Sequence, residues 1–360
     1  MKRILILANN DVGLYKFRKE LIQELVKKHK VYISLPYGDF VPNLKDMGCE
    51  FIDTPISRRG TNPIEDLKLL RNYKNILKDV KPDVVLTYTI KPNIYGGLAC
   101  RTSGVPYIAN ITGLGSAVEN GGLLQKITLS LYKVALKKAQ CVFFQNKDNK
   151  EFLNKKITIS NSRLIPGSGV NLKDYALLDY PTDEVVNFLF IARIMKEKGI
   201  DQYLEAAEYI KQKHPKTTFH VLGFCEQAYE NKLKDMEDKG FIEYHGMQSD
   251  VSEFHKISHC TIHPTYYPEG MSNVLLESAA CGRPVITTNR SGCREIVDDE
   301  INGYIVEQQN SQDLIRKIEQ FLNTDYESKK KMGLKGRIKM EEEFDRQIII
   351  NAYLREIDIH

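Results

Sequence analysis

Short apolar runs alternate with longer helix-period segments along this chain, and the whole alternation occurs twice. In the first half the runs fall at 4–8, 31–35, 84–87, 107–109 and 141–144, with helix-like stretches at 14–29, 63–80, 93–103 and 123–139. Unbroken apolar runs suit parallel strands covered on both faces, and strand–helix alternation is the mark of βαβ units. The pattern restarts with "VVNFLFIARI" at 185–194 and continues with runs at 218–222, 242–244, 260–263 and 284–287. Helical segments lie between them at 200–213, 226–239, 251–258 and 273–280. The stretch "IPGSGVNLKDYALLDYPTDE" carries Pro, Gly and Asp with little periodicity and reads as a linker. The division expected is an N-terminal α/β domain over 1–165, a linker over 166–184, a C-terminal α/β domain over 185–340, and a last helix within 341–360 packing back across the domains. Two doubly wound domains in tandem predict a cleft between them, with ligands beyond the carboxyl ends of the strands.

Composition narrows the class. The chain has 360 residues, 42% of them hydrophobic, enough for a sizeable core. A net charge of +4 is too weak to imply nucleic acid. Seven cysteines, Cys49, Cys100, Cys141, Cys225, Cys260, Cys281 and Cys293, are scattered without a C-x-x-C pair. That suits reduced thiols in a cytoplasmic protein better than a disulfide or zinc framework. The opening "MKRILILANN" has an apolar run of about five residues, too short for a secretion signal and suited to a first buried strand. No stretch approaches the roughly 18 apolar residues of a membrane span.

Three loops could carry chemistry. After the first strand, "NNDVGLYKFRKEL" puts Gly13 where strand gives way to helix, so amides at the helix start could face an anion, or form an ordinary turn. After the first strand of the second half, "ARIMKEKGI" places Arg193 at the strand end and Lys198 before the next helix. A forked donor and a point charge fit a diphosphate, although a solvated charged loop would look the same. Third, "YPEGMSNVLLESAACGRPVITT" puts Glu269 in a loop and Glu277 on the helix that follows, with Ser272 or Asn273 as N-cap. The amides of Gly270, Met271, Ser272, Asn273 and Val274 converge there on an anion site. Carboxylates accept well from sugar hydroxyls. The three loops together match a nucleotide sugar: hexose, diphosphate, ribose.

"ARIMKEKGI", "HGMQSDV", "EGMSNVLLE" and "GCREIVDDEINGYIV" resemble the retaining GT-B glycosyltransferases of family four, over nearly the whole chain and most closely from 185 to 306. The resemblance implies a GT-B fold and a nucleotide-sugar donor as co-substrate, with no cofactor and no metal. It implies that Arg193 and Lys198 hold the diphosphate, that Glu277 takes the ribose and that Glu269 lies near the transferred sugar. Gly13 would face the phosphates, and the loop from Gly246 to Asp250 the nucleobase. There are departures. Gly-Met-Ser (270–272) stands where many members read Gly-Phe-Gly, and "GFCE" (223–226) where many read Gly-x-Gly. In "YIANITGLGS", Asn110 or Thr112 stands where many have a sugar-contacting histidine. The "NITGLG" form resembles a subgroup that builds capsular, O-antigen or lipopolysaccharide oligosaccharides on polyprenyl diphosphate. It implies a UDP-hexose or UDP-N-acetylhexosamine donor and a lipid-linked acceptor at the inner face of the plasma membrane.

Residues 123–138, "LLQKITLSLYKVALKK", put Lys126, Lys133 and Lys137 on one stripe and Leu123, Ile127, Leu131 and Val134 on another. Such a helix lies on an anionic membrane or packs its apolar stripe on the core with the lysines in water. Arg58, Arg59, Lys16 and Lys19 could extend a basic patch. His214, His220, His255 and His259 show no metal-like spacing and read as surface or core residues. His263, Tyr266 and Tyr267 either line the site or pack. Two rival readings share the architecture: an epimerase acting on nucleotide sugars, which needs acid–base groups not evident in the first half, and a two-lobed sugar-binding module.

Overall fold

The structure is a computed structural model, and it describes residues 1–57, 62–119 and 121–359. The chain divides into two compact units, Met1–Ser168 with Gln347–His360, and Gly169–Arg346.

The first unit is built on a seven-stranded sheet of β1 (Arg3–Leu7), β2 (Lys30–Leu35), β3 (Glu50–Asp53), β4 (Val84–Tyr88), β5 (Tyr107–Ile111), β6 (Cys141–Phe144) and β7 (Ser162–Leu164). All pairings are parallel, in the order β3-β2-β1-β4-β5-β6-β7. Because side chains alternate along a strand, β1 feeds two cores at once. Ile4 and Ile6 join one cluster, and Leu5 and Leu7 join the other. Both faces are therefore covered, which is why the central strands read as unbroken apolar runs. The expected helix at 93–103 is a π-helical turn, Pro92–Gly96, leading into an α-helix, Gly97–Ser103. The last helix, Arg346–Asp358, belongs to this unit: Ile349, Ile350, Tyr353 and Ile357 complete the core that holds Ile4 and Phe143.

The second unit carries β8 (Val186–Ile191), β9 (Thr217–Leu222), β10 (Glu243–Tyr244), β11 (Cys260–His263), β12 (Val285–Thr288) and β13 (Gly303–Val306). They form a parallel sheet ordered β10-β9-β8-β11-β12-β13. The segment read as a linker is folded onto this unit from Gly169 onward. Val170 is in the core cluster with Leu275 and Leu276, and Leu172 and Tyr175 pack against it. Arg283, fully buried, donates to the carbonyls of Asp179 at 2.7 Å and His255 at 2.7 Å. A sparse apolar pattern hid this docking, because its partners lie a hundred residues away. The short strands β3, β7 and β13 were also not evident, being too short or too polar to stand out as runs.

Candidate functional site

The second unit gathers its charged loops at the carboxyl ends of β8 and β11. Arg193 lies just after β8, and its guanidinium donates to Glu226 and sits over the Tyr267 ring, 5.2 Å from the centroid. Burial pulls the Arg193 pKa down, but hydrogen bonds to Tyr267 and Glu226 outweigh that and hold it above its ordinary value. Lys198 closes a single 3-10 turn, Lys196–Lys198, and is 9% exposed. Its Nζ pairs with the Glu269 carboxylate and lies 4.8 Å from the same Tyr267 ring. One aromatic ring thus serves two cations, an arrangement favoured by the ring quadrupole.

Backbone geometry fixes these loops. Gly199 follows Lys198 with φ 78°, and a Cβ there would come 2.2 Å from the Pro264 carbonyl oxygen. Only glycine lets the Lys198 turn lie against the end of β11. Gly292, at φ 89°, approaches the loop of Glu269 equally closely: a Cβ would meet the Gly270 oxygen at 2.7 Å. The Gly292 carbonyl accepts from the Ser272 amide at 2.8 Å, so residues 290–292 brace the start of the helix Asn273–Ala280. Ser272 is its N-cap, but its hydroxyl makes no capping bond. The first amides of the helix, those of Asn273 and Val274, are therefore not occupied by the cap, and the helix dipole favours negative charge there. Gly270, Met271 and Ser272 are buried, while Asn273 and Val274 are partly exposed. Glu277 also stands partly exposed on this helix, hydrogen-bonded to the hydroxyl of Tyr175, whose pKa is pushed up by burial first and by Glu277 second.

The other candidate residues have partners within their own units. Gly246 has φ 65° and gives its carbonyl to the Gly223 amide at 2.8 Å. Asp250 is exposed and accepts from the Ser252 amide at 2.9 Å; that bond, with the Ser252 side chain, holds its carboxyl below the usual range. It acts as a turn-capping residue. Gly13 is within the first turn of the helix Asp11–Val26, and its amide is already taken by the N-cap side chain of Asn10 at 2.6 Å. Asn110 is 1% exposed, donates to the Tyr353 hydroxyl at 2.5 Å and accepts from Gln145 at 3.3 Å. That leaves it a core hydrogen-bonding residue, while Thr112 is partly exposed. Arg58 and Arg59 lie outside the described residues.

Three partners were not assigned from sequence. In sequence Tyr267 suits lining or packing equally, Glu226 stands out only as a departure in "GFCE", and Tyr175 lies in the segment that reads as a linker. His263 is 2% exposed, and neither ring nitrogen has a hydrogen-bond partner among the described residues. Burial, then the Lys198 charge, push its pKa well below the ordinary histidine value, so it is a neutral core residue. His220, which shows no metal-like spacing to the other histidines in sequence, is brought beside Glu243 and His245 by the pairing of β9 and β10.

Residues 181–339 match the family model of glycosyl transferases group 1, and residues 3–146 match the glycosyl transferase 4-like model. Between them the two models take in most of both units. The chain belongs to the group 1 glycosyltransferases and has their GT-B type of fold, two Rossmann-like α/β domains. It is 27% identical to the N,N'-diacetylbacillosaminyl-diphospho-undecaprenol alpha-1,3-N-acetylgalactosaminyltransferase of Campylobacter jejuni, covering 99% of this chain and 98% of that protein. It is 28% identical to the Escherichia coli UDP-Gal:alpha-D-GlcNAc-diphosphoundecaprenol alpha-1,3-galactosyltransferase, over 70% of each chain. In fold it is similar to Anabaena HepE, solved in complex with UDP and glucose, with a TM-score of 0.80 at 16% identity over 99% of both chains. WaaG, a glycosyltransferase involved in lipopolysaccharide biosynthesis, is similar at a TM-score of 0.76 and 17% identity over 99% of both chains. Family membership makes this protein a glycosyltransferase and sets aside the epimerase and binding-module readings.

Proposed function

We propose that this glycosyltransferase moves a hexose or N-acetylhexosamine from a UDP-sugar to a polyprenyl-diphosphate-linked saccharide, with retention of anomeric configuration and without a catalytic metal. The observation that carries the donor half is the grouping of Arg193, Lys198 and Glu269 around Tyr267, next to a helix start whose cap leaves the first amides unoccupied. Two cations and a helix N-terminus are suited to the charge that grows on a departing diphosphate. Glu269 would orient the sugar and ease positive charge at the anomeric carbon, and Glu277 would take the ribose hydroxyls. The bond from the anomeric carbon to the diphosphate breaks and a bond to the acceptor oxygen forms on the same face. The acceptor proton passes to a leaving phosphate oxygen, and UDP is released. The named substrates of the Campylobacter and Escherichia relatives, and the UDP of the HepE complex, support the choice of donor and acceptor class.

The acceptor half rests on the helix Gly122–Leu136. Its buried residues are Thr128, Tyr132, Ala135 and Leu136. Leu123 (73%), Ile127 (49%) and Val134 (44%) are exposed, while Leu131 of the same stripe packs against the core, so only part of the stripe is open to solvent. Lys126, Lys133 and Lys137 are exposed beside them, so the helix offers apolar and basic groups together, as a surface-bound helix does. No helix among the described residues is long and apolar enough to cross a membrane. The protein is placed, on this reading, in the cytoplasm against the inner face of the membrane.

The test is calorimetric titration with UDP, GDP and ADP, with magnesium and with chelator, on the wild type and on Arg193→Ala. Metal-independent binding of UDP alone, lost in the variant, is expected. Binding of another nucleotide, or none without magnesium, would overturn the donor assignment. Turnover of UDP-sugars on a polyprenyl-diphosphate sugar, with the product anomer read by NMR, then tests retention.

A further inference from the structure

We propose that His220 Nδ1, His245 Nε2 and the Glu243 carboxylate form a binding site for a divalent transition-metal ion of the zinc type. The sheet register creates it. Parallel pairing sets Glu243 beside His220, and His245, two residues further on, falls on the same face of that edge. His220 Nδ1 is 3.1 Å from His245 Nε2 and 3.3 Å from Glu243 Oε2, and His245 Nε2 is 3.9 Å from the same oxygen. Ligands about 2.0–2.1 Å from a tetrahedral zinc stand about 3.3 Å from one another, so the three atoms already sit near the edges of such a tetrahedron.

The hydrogen-bond pattern around His220 is the independent observation. Its Nε2 faces Asn187 Oδ1 at 3.3 Å. The orientation of that amide is set from its other end, where Asn187 Nδ2 donates to the Ile257 carbonyl at 3.2 Å and the Val185 carbonyl at 3.4 Å. Asn187 therefore accepts, and the His220 proton is on Nε2. Nδ1 then presents its lone pair to the space between Glu243 Oε2, 3.3 Å away, and His245 Nε2, 3.1 Å away, and accepts from the His245 Nε2–H when no ion is bound. A metal ion there would draw the lone pairs of all three atoms to itself, and Asn187 would be the outer partner that fixes a metal-bound histidine. The His220 side chain is nearly fully buried, with the Phe254 ring 6.4 Å away. The Phe254 ring also lies 4.7 Å from that of His245. Side-chain exposure rises from His220 (6%) through His245 (27%) to Glu243 (56%), so water can supply a fourth ligand from the open side.

Two imidazoles and one carboxylate suit zinc and its neighbours better than calcium or magnesium. Bound there, the ion would clamp the ends of β9 and β10 and hold His245, the residue before Gly246. In sheet order this lies at the β10 edge, away from the β11 loop that carries Glu269. It is a site separate from the transfer chemistry.

The test uses the full chain, stripped with chelator and titrated with zinc chloride by calorimetry, then with cobalt(II) followed in the visible range. One zinc per chain is expected in the wild type. Glu243→Gln, at an exposed position, and His245→Ala should each weaken binding at least about tenfold, the loss seen even when only a ligand's outer partner is removed. Thermal melting checks that both variants stay folded. Cobalt should give four-coordinate bands with no thiolate charge-transfer band. No stoichiometric uptake, uptake unchanged in both variants, or a thiolate band placing the ion on a cysteine would each overturn the site.

Discussion

Lys198 and Glu269 are 71 residues apart in sequence, yet they are direct partners in the fold, and the Tyr267 ring joins Arg193 to Lys198. The residue types were legible because a diphosphate and a sugar ask for a forked cation, a point cation and a carboxylate. Their pairing was not, because it depends on which strand ends lie side by side. Glu269→Gln keeps the shape and removes the charge, and kcat should fall by about 10² or more, the scale seen when one charge-stabilising group is lost. Initial rates at saturating UDP-sugar check this; full turnover in the variant would end the role given to Glu269. Tyr267→Leu removes the shared ring. At about 1–2 kcal/mol for a desolvated cation–π contact, UDP affinity should weaken about tenfold by calorimetry, with the fold retained.

At the scale of elements, the short turn Lys196–Lys198 holds its shape only because Gly199 can take a positive φ against the Pro264 carbonyl. Gly199→Ala adds left-handed strain of roughly 1–2 kcal/mol to a backbone clash. Urea unfolding should show a loss of at least about 2 kcal/mol, and UDP affinity should fall with it. The helix Gly122–Leu136 makes the opposite point. Its periodicity was plain in sequence, but which face met the core was not, since an apolar stripe serves a core and a membrane equally well. Replacing Leu123 and Ile127 by Ser should abolish sedimentation with anionic vesicles while leaving the melting temperature within about 1–2 °C, because neither side chain is buried. Unchanged vesicle binding would remove the membrane role of this helix.

For the whole molecule, buried histidines set the acid limit. His255 is driven down to about 4, first by burial and then by the Arg283 charge, and burial lowers His259 and His263 as well. A histidine with a depressed folded pKa takes up its proton more readily when unfolded. Stability is therefore full above about pH 6.5 and drains as pH falls from there toward 4. His255 alone accounts for about 3 kcal/mol across that window, at about 1.4 kcal/mol per pKa unit. His255→Leu, which also removes two ring nitrogens without hydrogen-bond partners among the described residues, should flatten the decline between pH 6.5 and 4.5 in urea unfolding. An unchanged slope would assign acid sensitivity elsewhere.

Sequence by itself determined the two α/β halves, because strands covered on both faces must be continuously apolar and helices between them must be amphipathic. It also singled out the residue types of the candidate-site loops, whose chemistry is carried by side chains and by helix starts that local sequence defines. Tertiary structure decided what depends on partners far along the chain. It docked residues 169–184 on the second unit through Arg283 and the Leu275 cluster, and it added the last helix to the first unit's core. It occupied Gly13 and Asn110 with internal hydrogen bonds, turned Leu123 and Ile127 outward, and set His220 beside Glu243. The physical reason is common to all of these. A hydrogen bond, an ion pair or a buried face needs two surfaces, and a sequence window contains only one of them.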